Sequence, residues 1–210
     1  MYLPKIYAVA DKARIYQFIR DNGFGILFSH QGPGPMASHL PFVLCEDPKG
    51  EDLILGHMAK ANEQWRHADG NDVLVVFHGP HSYVSPTWYR EDDVVPTWNY
   101  AAVHVYGTFE AVKDGRETAD IVGKIVDYYE SFLPEPWEAD FESEYNRKLI
   151  KGVAAFRVRI NRVEGKWKMG QNRPSRQRRR VIDVLETLPS ENEQAVAKLM
   201  RAEIESNGDR

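Results

Sequence analysis

The chain has 210 residues, of which 42% are hydrophobic and 28% are charged. This balance is typical of a globular protein with a sizeable core and argues against long disordered stretches. The net charge of −4 disfavours a protein whose whole surface binds nucleic acid, and the single cysteine, Cys45, excludes a disulfide within one chain. The sequence has neither an apolar signal region nor a bilayer-length apolar run, which predicts a cytoplasmic protein outside the membrane.

The first half of the chain predicts one short helix and a series of strands. Asp11 caps a helix that carries Ile15, Phe18 and Ile19 on one face, and Gly23 is placed to end it. Strands are predicted at 24–28, 36–45, 52–58 and 73–77, with turns at 31–35 and 46–51 and a helix-forming stretch at 59–65.

The second half adds further strands and most of the helices. Strands are predicted at 81–88, 99–112 and 156–160. Helices are predicted at 121–129, at 145–150, around Val181 and Leu185, and from a capping box at Ser190 and Glu193 to the C-terminus. Because strands in meander order need only short hairpins, the pattern predicts an α+β protein built on an antiparallel barrel with peripheral helices.

Two segments carry groups suited to an anion. Ser38 and His39 lie on a strand where Pro41 indicates an edge or a bulge, although an ordinary strand with a satisfied histidine is favoured. Gly56–Asn62 lies at a predicted strand-to-helix junction, where free N–H groups, the helix dipole and Lys60 would seat a phosphate. An ordinary surface helix start explains most such junctions equally well.

Two further segments are rich in aromatic rings and cations. The aromatic content of residues 78–89 and 96–100 predicts a core or a subunit interface. Stacking of these rings on a flat ligand is the more specific alternative. Residues 165–173 form a predicted loop whose cations, indole and amides suit an anionic planar ligand, or alternatively a solvated basic loop. His78 and His81 have no carboxylate or cysteine at ligand spacing, so no metal site is predicted.

The basic cluster formed by five arginines could contact DNA phosphates, but a solvated helix face is favoured. Its members are Arg173, Arg176, Arg178, Arg179 and Arg180. Cys45 has no histidine at a diagnostic spacing, and the nucleophile-elbow, Walker and Gly-x-Gly-x-x-Gly motifs are all absent from the sequence. No catalytic residue is therefore predicted.

Six stretches, taken together and in order, resemble the PaiB-type FMN-binding negative transcriptional regulators. They are residues 1–4, 38–42, 56–65, 77–89, 95–104 and 164–173. The resemblance implies an FMN-binding split β-barrel, similar to pyridoxamine-phosphate oxidases, over residues 1–185. Residues 186–210 would then form an amphipathic helix packed on this domain or on the dimer partner.

The resemblance also implies a homodimer with FMN in a groove between the subunits. One subunit would line the flavin and its phosphate with Ser38, His39, Leu40, His57, Met58, Ala59, Lys60 and Asn62. The other subunit would approach the ring or phosphate with Trp98, Asn99, Gln171 and Arg173.

The chain departs from the family pattern at a few positions. Arginine is usual where Lys60 stands, proline where Glu63 stands and serine where Gly170 stands, and a basic residue tends to replace the acidic run at 91–93. Lysine keeps the positive charge but lacks the planar fork that binds a phosphate through two parallel hydrogen bonds.

The resemblance favours an FMN-binding negative regulator of transcription. The net charge and the lack of a recognisable helix-turn-helix do not favour direct DNA contact. A flavin-dependent oxidoreductase of the pyridoxamine-phosphate-oxidase-like class is the main alternative, because FMN itself carries the hydride chemistry. Two others are a haem-binding barrel, with His39, His57 or His104 as axial ligand, and a structural dimer that has lost its ligand.

Overall fold

The computed structural model describes residues 1–30, 32, 34–46, 50–141 and 143–207, and the account that follows concerns these residues. The strands are β1 (Ala8–Val9), β2 (Phe24–Ser29), β3 (Met36–Glu46), β4 (Asp52–Ala59), β5 (Asp72–Val84), β6 (Thr97–Ala111) and β7 (Val153–Lys168). The helices are α1 (Lys12–Asp21), α2 (Gln64–Ala68), α3 (Gly115–Glu130), α4 (Glu144–Ile150), α5 (Ser175–Leu185) and α6 (Glu191–Asn207). Short 3₁₀ helices cover Lys5–Tyr7 and Pro86–Tyr89.

The chain forms two compact units. The first comprises Met1–Ile15, His78–Val103 and the described part of Glu164–Arg210, and the second comprises Tyr16–Phe77 and His104–Val163. Strands β5, β6 and β7 each contribute residues to both units.

The second unit holds a closed antiparallel barrel. Its strands follow the order β7-β4-β3-β2-β5-β6, and β6 pairs with β7 to complete the ring. Ile26 of β2 lies opposite His39 of β3 on one side and Val76 of β5 on the other. A Cβ atom at Gly107 would lie 2.3 Å from the carbonyl oxygen of Arg159, so the approach of β6 to β7 requires glycine there. The α+β split-barrel prediction is confirmed.

Four phenylalanines form the centre of the barrel core. Phe42 meets the ring of Phe77 edge-on at 5.7 Å, and Phe109 stacks on Phe156 at 4.5 Å. All four side chains are buried, and burying such a ring contributes roughly 1.5–3 kcal/mol. Helix α3 covers one side of the sheet through a second cluster, made of Ile121, Ile125, Val43, Leu55 and Ala155.

The first unit has a core of its own. Strand β1 pairs with the end of β7, with Ala8 opposite Lys166. Trp167 is buried beneath the guanidinium of Arg14, which lies 5.1 Å from the indole centroid and forms an ion pair with Glu203 of α6. Further buried apolar side chains of this unit lie just after β7 and on α5 and α6: Met169, Val181, Ile182, Leu185, Val196 and Met200.

Several local predictions are confirmed in detail. Asp11 accepts a hydrogen bond from the backbone N–H of Ala13 at 2.9 Å, as a cap of α1 should. The helix predicted at 121–129 is present as α3 and begins earlier, at Gly115, where Asp114 accepts hydrogen bonds from the N–H groups of Arg116 at 3.0 Å and Glu117 at 2.9 Å. The C-terminal helix is also present as α6, and its apolar stripe is buried at Val196, Met200 and Ile204.

Three element predictions are wrong. The predicted strands 73–77 and 81–88 are one strand, β5, followed by a 3₁₀ helix. Most of the predicted helix-forming stretch 59–65 is the end of β4 and a turn, because α2 begins only at Gln64. The predicted loop 165–173 begins as strand, since β7 runs through Lys168 and buries Trp167, and only the residues after Lys168 are non-strand.

The predicted turns at 31–35 and 46–51 fall partly outside the described residues, which leave out 31, 33 and 47–49. Among the helices that the structure describes, none has the length and apolar character needed to cross a lipid bilayer.

Candidate functional site

The polar side chains predicted on β3 and after β4 meet in one hydrogen-bond network of the second unit. Ser38 Oγ donates to Oε1 of Gln64 at 2.6 Å and accepts from Nδ2 of Asn62 at 2.9 Å. Asn62 Oδ1 accepts from the backbone N–H of Gln64 at 3.0 Å. Ser38 is therefore committed mainly to holding the fold, whereas Asn62 keeps one amide hydrogen unused among the described residues.

Gln64 is the residue that sequence reasoning missed. It is fully buried, and its Nε2 lies 3.2 Å from the carbonyl oxygen of Leu27, 3.1 Å from Oγ of Ser29 and 3.3 Å from the carbonyl oxygen of Met36. Its amide thereby ties α2 to β2 and β3. A glutamine in a helix-forming stretch is usually exposed, so the local sequence around Gln64 gives no signal of this role.

Strand β3 turns His39 and Leu40 to opposite faces. Leu40 is buried, and His39 is exposed with its ring 6.5 Å from that of Phe24 in a stacked arrangement. Alternation along a strand explains the difference. His39 is therefore available to a ligand through its ring, and Leu40 only through its backbone.

His57 on β4 carries an unsatisfied nitrogen. Its Nδ1 atom is buried and has no hydrogen-bond partner within the described part of the chain. Burial lowers the pKa of His57, so the neutral imidazole is favoured near pH 7. A buried polar atom without a partner is uncommon and fits a site whose ligand supplies the missing bond. The following Met58 is buried and Ala59 is exposed.

The helix start predicted within Gly56–Asn62 is wrong. The backbone N–H of Lys60 donates to the carbonyl oxygen of Gly152 at 2.8 Å, and that of Asn62 donates to Ala59 at 2.9 Å. Both N–H groups are therefore used within the fold. A phosphate at this turn would meet side chains instead of a helix N-terminus.

Three positively charged residues lie on this turn or next to it in the fold, and we call Lys60, Arg66 and Lys151 the cationic cluster. Trp65 Nε1 donates to the carbonyl oxygen of Lys60 at 3.1 Å, and the guanidinium of Arg66 lies 4.8 Å from the centroid of that indole. Lys151 directly precedes Gly152, the partner of the Lys60 N–H. None of the three forms an ion pair with a carboxylate among the residues described. Only the fold brings Lys151 beside the turn, through the bond between the Lys60 N–H and Gly152, so the sequence alone does not reveal it.

In the first unit, Trp98 and Asn99 point to opposite faces of β6. Trp98 is 54% exposed and lies beside the rings of Tyr83, at 5.9 Å, and His81, at 6.4 Å. Asn99 is only 1% exposed, and its Nδ2 donates to Sδ of Met200 on α6 at 3.3 Å. Trp98 is therefore the side chain of this pair that is open to a ligand.

The two site residues predicted after β7 lie in a tight turn. Gln171 Oε1 accepts from the backbone N–H of Met169 at 2.7 Å, and its Nε2 donates to the carbonyl oxygen of Trp167 at 2.6 Å. The guanidinium of Arg173 lies 5.7 Å from the ring centroid of Tyr89. Gly170 has φ +75, which explains glycine at a position where the resembled family usually has serine.

The interpretation of the basic cluster as a solvated face is wrong for two of its arginines. Arg178 is buried. Arg180 Nη1 donates to the carbonyl oxygen of Tyr89 at 2.6 Å and to Glu91 at 2.9 Å, and Arg176 pairs with the same carboxylate at 2.9 Å. The acidic residue Glu91 thus neutralises part of the arginine cluster.

Comparison with known proteins identifies the family. Residues 1–162 match the model of the family described as "Putative FMN-binding domain". The chain belongs to this FMN-binding family. It is also 33% identical over 205 residues to "Protease synthase and sporulation protein PAI 2" of Bacillus subtilis, with 95% of this chain and 96% of that protein covered. These matches confirm the resemblance to the PaiB type.

Two solved structures share the fold. The FAD and heme binding protein from Mycobacterium smegmatis has a TM-score of 0.59 at 13% identity, covering 78% of this chain and 74% of that one. The flavocytochrome Anf3 from Azotobacter vinelandii has a TM-score of 0.57 at 15% identity, covering 78% and 70%. At such identities the likeness bears on the fold alone.

The chain is therefore a flavin-binding split-barrel protein of this family, and the residues of the second unit fit a flavin. The cationic cluster offers positive charge that no described carboxylate neutralises, and His57 offers a buried nitrogen without a partner. His39 adds an exposed ring. Together they supply the two chemistries that a flavin nucleotide needs, an anion seat and polar or stacking contacts for a flat ring.

Proposed function

We propose that the chain binds FMN as a homodimer and acts, in this loaded form, as a negative regulator of transcription. The observation that carries the proposal is the cationic cluster. Its three positive charges have no carboxylate partner among the described residues, and a phosphate monoester carries nearly two negative charges at pH 7. Charge complementarity therefore favours the mononucleotide FMN over riboflavin.

Within this proposal, each group of the chain has a defined task. Lys60, Arg66 and Asn62 bind the phosphate, and His57 accepts or donates a hydrogen bond near the ribityl chain. The partner subunit's Trp98, the partner subunit's Gln171 and the partner subunit's Arg173 complete the groove, as the family pattern implies. Bound FMN would supply electron- and hydride-transfer chemistry, while these residues hold the ring in position.

The regulatory part of the proposal is supported by the name of the Bacillus relative, which refers to protease synthase and sporulation. We infer that regulation runs through a protein partner. Arg176, Arg178 and Arg180, the most obvious DNA-binding candidates, are engaged or buried within the first unit. The net charge of −4 also works against a general attraction to DNA.

Replacing Lys60 tests the proposed phosphate-binding site. Lys60→Met should weaken FMN binding by about tenfold, because it removes one charge-assisted contact to the phosphate. Riboflavin, which has the same ring but no phosphate, should bind both proteins equally. Flavin fluorescence quenching and the absorbance spectrum of the titrated protein measure both affinities.

Two controls sharpen this test. Lys60→Arg should restore FMN binding, and Lys198→Met, which removes an exposed lysine from α6, should leave it unchanged. Equal losses for FMN and riboflavin would show that Lys60 acts on the fold instead of the phosphate. An unchanged FMN affinity in Lys60→Met would overturn the proposed phosphate-binding site.

A further inference from the structure

A loop that follows α3 in the second unit exposes three large apolar side chains. We call residues 131–138 the apolar loop, and all eight of them are exposed. Phe132 is 67% exposed, Leu133 52% and Trp137 56%. The ring of Phe132 lies edge-on to that of Tyr128, on α3, at 5.2 Å. Single exposed apolar residues are common on proteins, but several of them in one short loop mark an interaction surface.

Glu130, the last residue of α3, holds the apolar loop in a folded form. Its carbonyl oxygen accepts a hydrogen bond from the N–H of Leu133 at 2.9 Å, and its Oε2 accepts one from the N–H of Trp137 at 2.7 Å. Pro134 and Pro136 restrict the backbone between these two contacts. A loop that is already ordered loses less conformational entropy when a partner binds to it.

The surroundings of the apolar loop are negatively charged. Residues 125–146 contain seven aspartates and glutamates and neither a lysine nor an arginine. Glu135 and Glu138 are exposed within the loop, and neither forms an ion pair in the described part of the chain. Arg20 and Asp21 of α1 lie beside the end of α3 and carry opposite charges, so they leave this balance unchanged.

The combination of apolar side chains and negative charge restricts what can cover this loop. A nucleic acid or an anionic lipid surface would be repelled by the carboxylates. A second copy of the chain, related by a twofold axis, would place the same carboxylates against one another. A protein segment with lysines or arginines between apolar side chains complements both the charge and the apolar surface.

We propose that the apolar loop is the docking surface for a basic amphipathic segment of a protein partner. Apolar side chains of the partner pack against Phe132 and Trp137, and its cations face Glu135 and Glu138. Binding energy in protein interfaces is concentrated in such large aromatic residues. The inference rests on the proposed function, because it gives a docking surface to the protein partner inferred there. It uses none of the residues assigned to the flavin.

A fluorescently labelled peptide of leucines and lysines, arranged to form an amphipathic helix, is a suitable probe. It should bind the purified protein in anisotropy titrations, whereas the same peptide with glutamate in place of lysine should not. Trp137→Ser should weaken binding of the lysine peptide by about tenfold or more, because an aromatic anchor is lost. Glu135→Gln combined with Glu138→Gln should weaken it and reduce its salt dependence, because fewer screened charge pairs remain.

Control variants make the same chemical changes in the first unit. Val95→Ser removes an apolar side chain that is 67% exposed, and Asp92→Asn combined with Asp93→Asn removes two exposed carboxylates. Both should bind the lysine peptide like the parent protein. The docking surface is overturned if the lysine peptide does not bind, if the glutamate peptide binds as well, or if the loop variants bind no more weakly than the controls.

Two further measurements keep the test decisive. If Trp137→Ser fails to fold, as circular dichroism would show, the double glutamine variant decides the matter. Light scattering coupled to gel filtration should give Trp137→Ser the same mass as the parent protein. A lower mass for Trp137→Ser would assign the apolar loop to a contact between two copies of the chain and would overturn the docking of a partner.

A reporter gene fused to the upstream region separates this inference from the proposed function. Trp137→Ser should bind FMN like the parent protein and should lose repression of the reporter. If the parent protein and Trp137→Ser repress equally, the docking surface is refuted and the regulatory function stands. If the parent protein does not repress although the lysine peptide binds at the apolar loop, the docking surface stands and the regulatory function fails.

Discussion

Gln64, Ser38 and Asn62 form the part of the candidate site where single residues matter most. Ser38 and Asn62 carry the polar groups that the sequence assigns to a ligand, yet both are positioned by a buried amide. Gln64 makes this positioning possible because its amide bonds to β2 and β3 at the same time. The groups that the family pattern assigns to the ligand therefore depend on Gln64, which that pattern does not assign to it.

Gln64→Leu should destabilise the protein by about 1–3 kcal/mol, because it leaves buried hydrogen-bonding groups without partners. Urea unfolding followed by circular dichroism measures the change in the free energy of unfolding. Gln17→Leu is the matched control, since Gln17 is exposed and its side chain bonds, among the described residues, only to Asp21 at 2.8 Å. Equal stability of the two variants would contradict the structural role of Gln64.

Strand β2 is the element that best supports a dimer. Phe24, Ile26 and Phe28 alternate on its outer face, and Phe24 and Phe28 are 66% and 38% exposed. Val76 of β5 lies opposite Ile26, so the apolar row extends onto that neighbouring strand. Single exposed apolar residues are common on protein surfaces, but a contiguous row of them marks an interaction surface.

Phe24→Asp should convert the proposed homodimer into a monomer, because it places a charge in the apolar row. Light scattering coupled to gel filtration should give twice the chain mass for the parent protein and the single chain mass for the variant. Leu149→Asp makes the same chemical change on α4, where Leu149 is 53% exposed, and should leave the dimer intact. A parent protein that runs as a monomer would refute the dimer proposal.

At the scale of the whole molecule, the net charge and its distribution set the electrostatic affinity of the protein for nucleic acid. The chain carries 31 acidic residues against 27 lysines and arginines. Glu91 binds two of the arginines that could otherwise face DNA phosphates. A protein with this charge distribution has little electrostatic affinity for duplex DNA, because that affinity depends on releasing counterions from many phosphates.

The FMN-loaded protein should not retard duplex DNA from its own upstream region in a gel-shift assay, even at low salt. If a shift appears and weakens steeply as salt is raised, the protein contacts phosphates directly and the inferred protein partner is unnecessary. Arg176→Ala combined with Arg179→Ala would then show whether α5 makes that contact. A shift unchanged by these substitutions would assign the contact to another surface.

Much of the local structure was predictable from the sequence, because its causes lie within a few residues. The cap at Asp11 is an example, since its side chain bonds to N–H groups two and three residues away. The placement of Trp98 and Asn99 on opposite faces of β6 also follows from the alternation of side chains along a strand. The error at Gly56–Asn62 arose because helix-forming residues there are held in a strand and a turn by β7 and Gly152.

The sequence by itself determined the family, the barrel of antiparallel strands and the expectation of a flavin, because ordered motifs and hydrophobic alternation are local properties of the chain. Only the tertiary structure placed Lys151 beside the turn at Lys60, buried Gln64 beneath Ser38 and engaged Arg180 with Glu91. These contacts join residues far apart in the chain. Their geometry is set by strand pairing and core packing, and neither can be read from neighbouring residues.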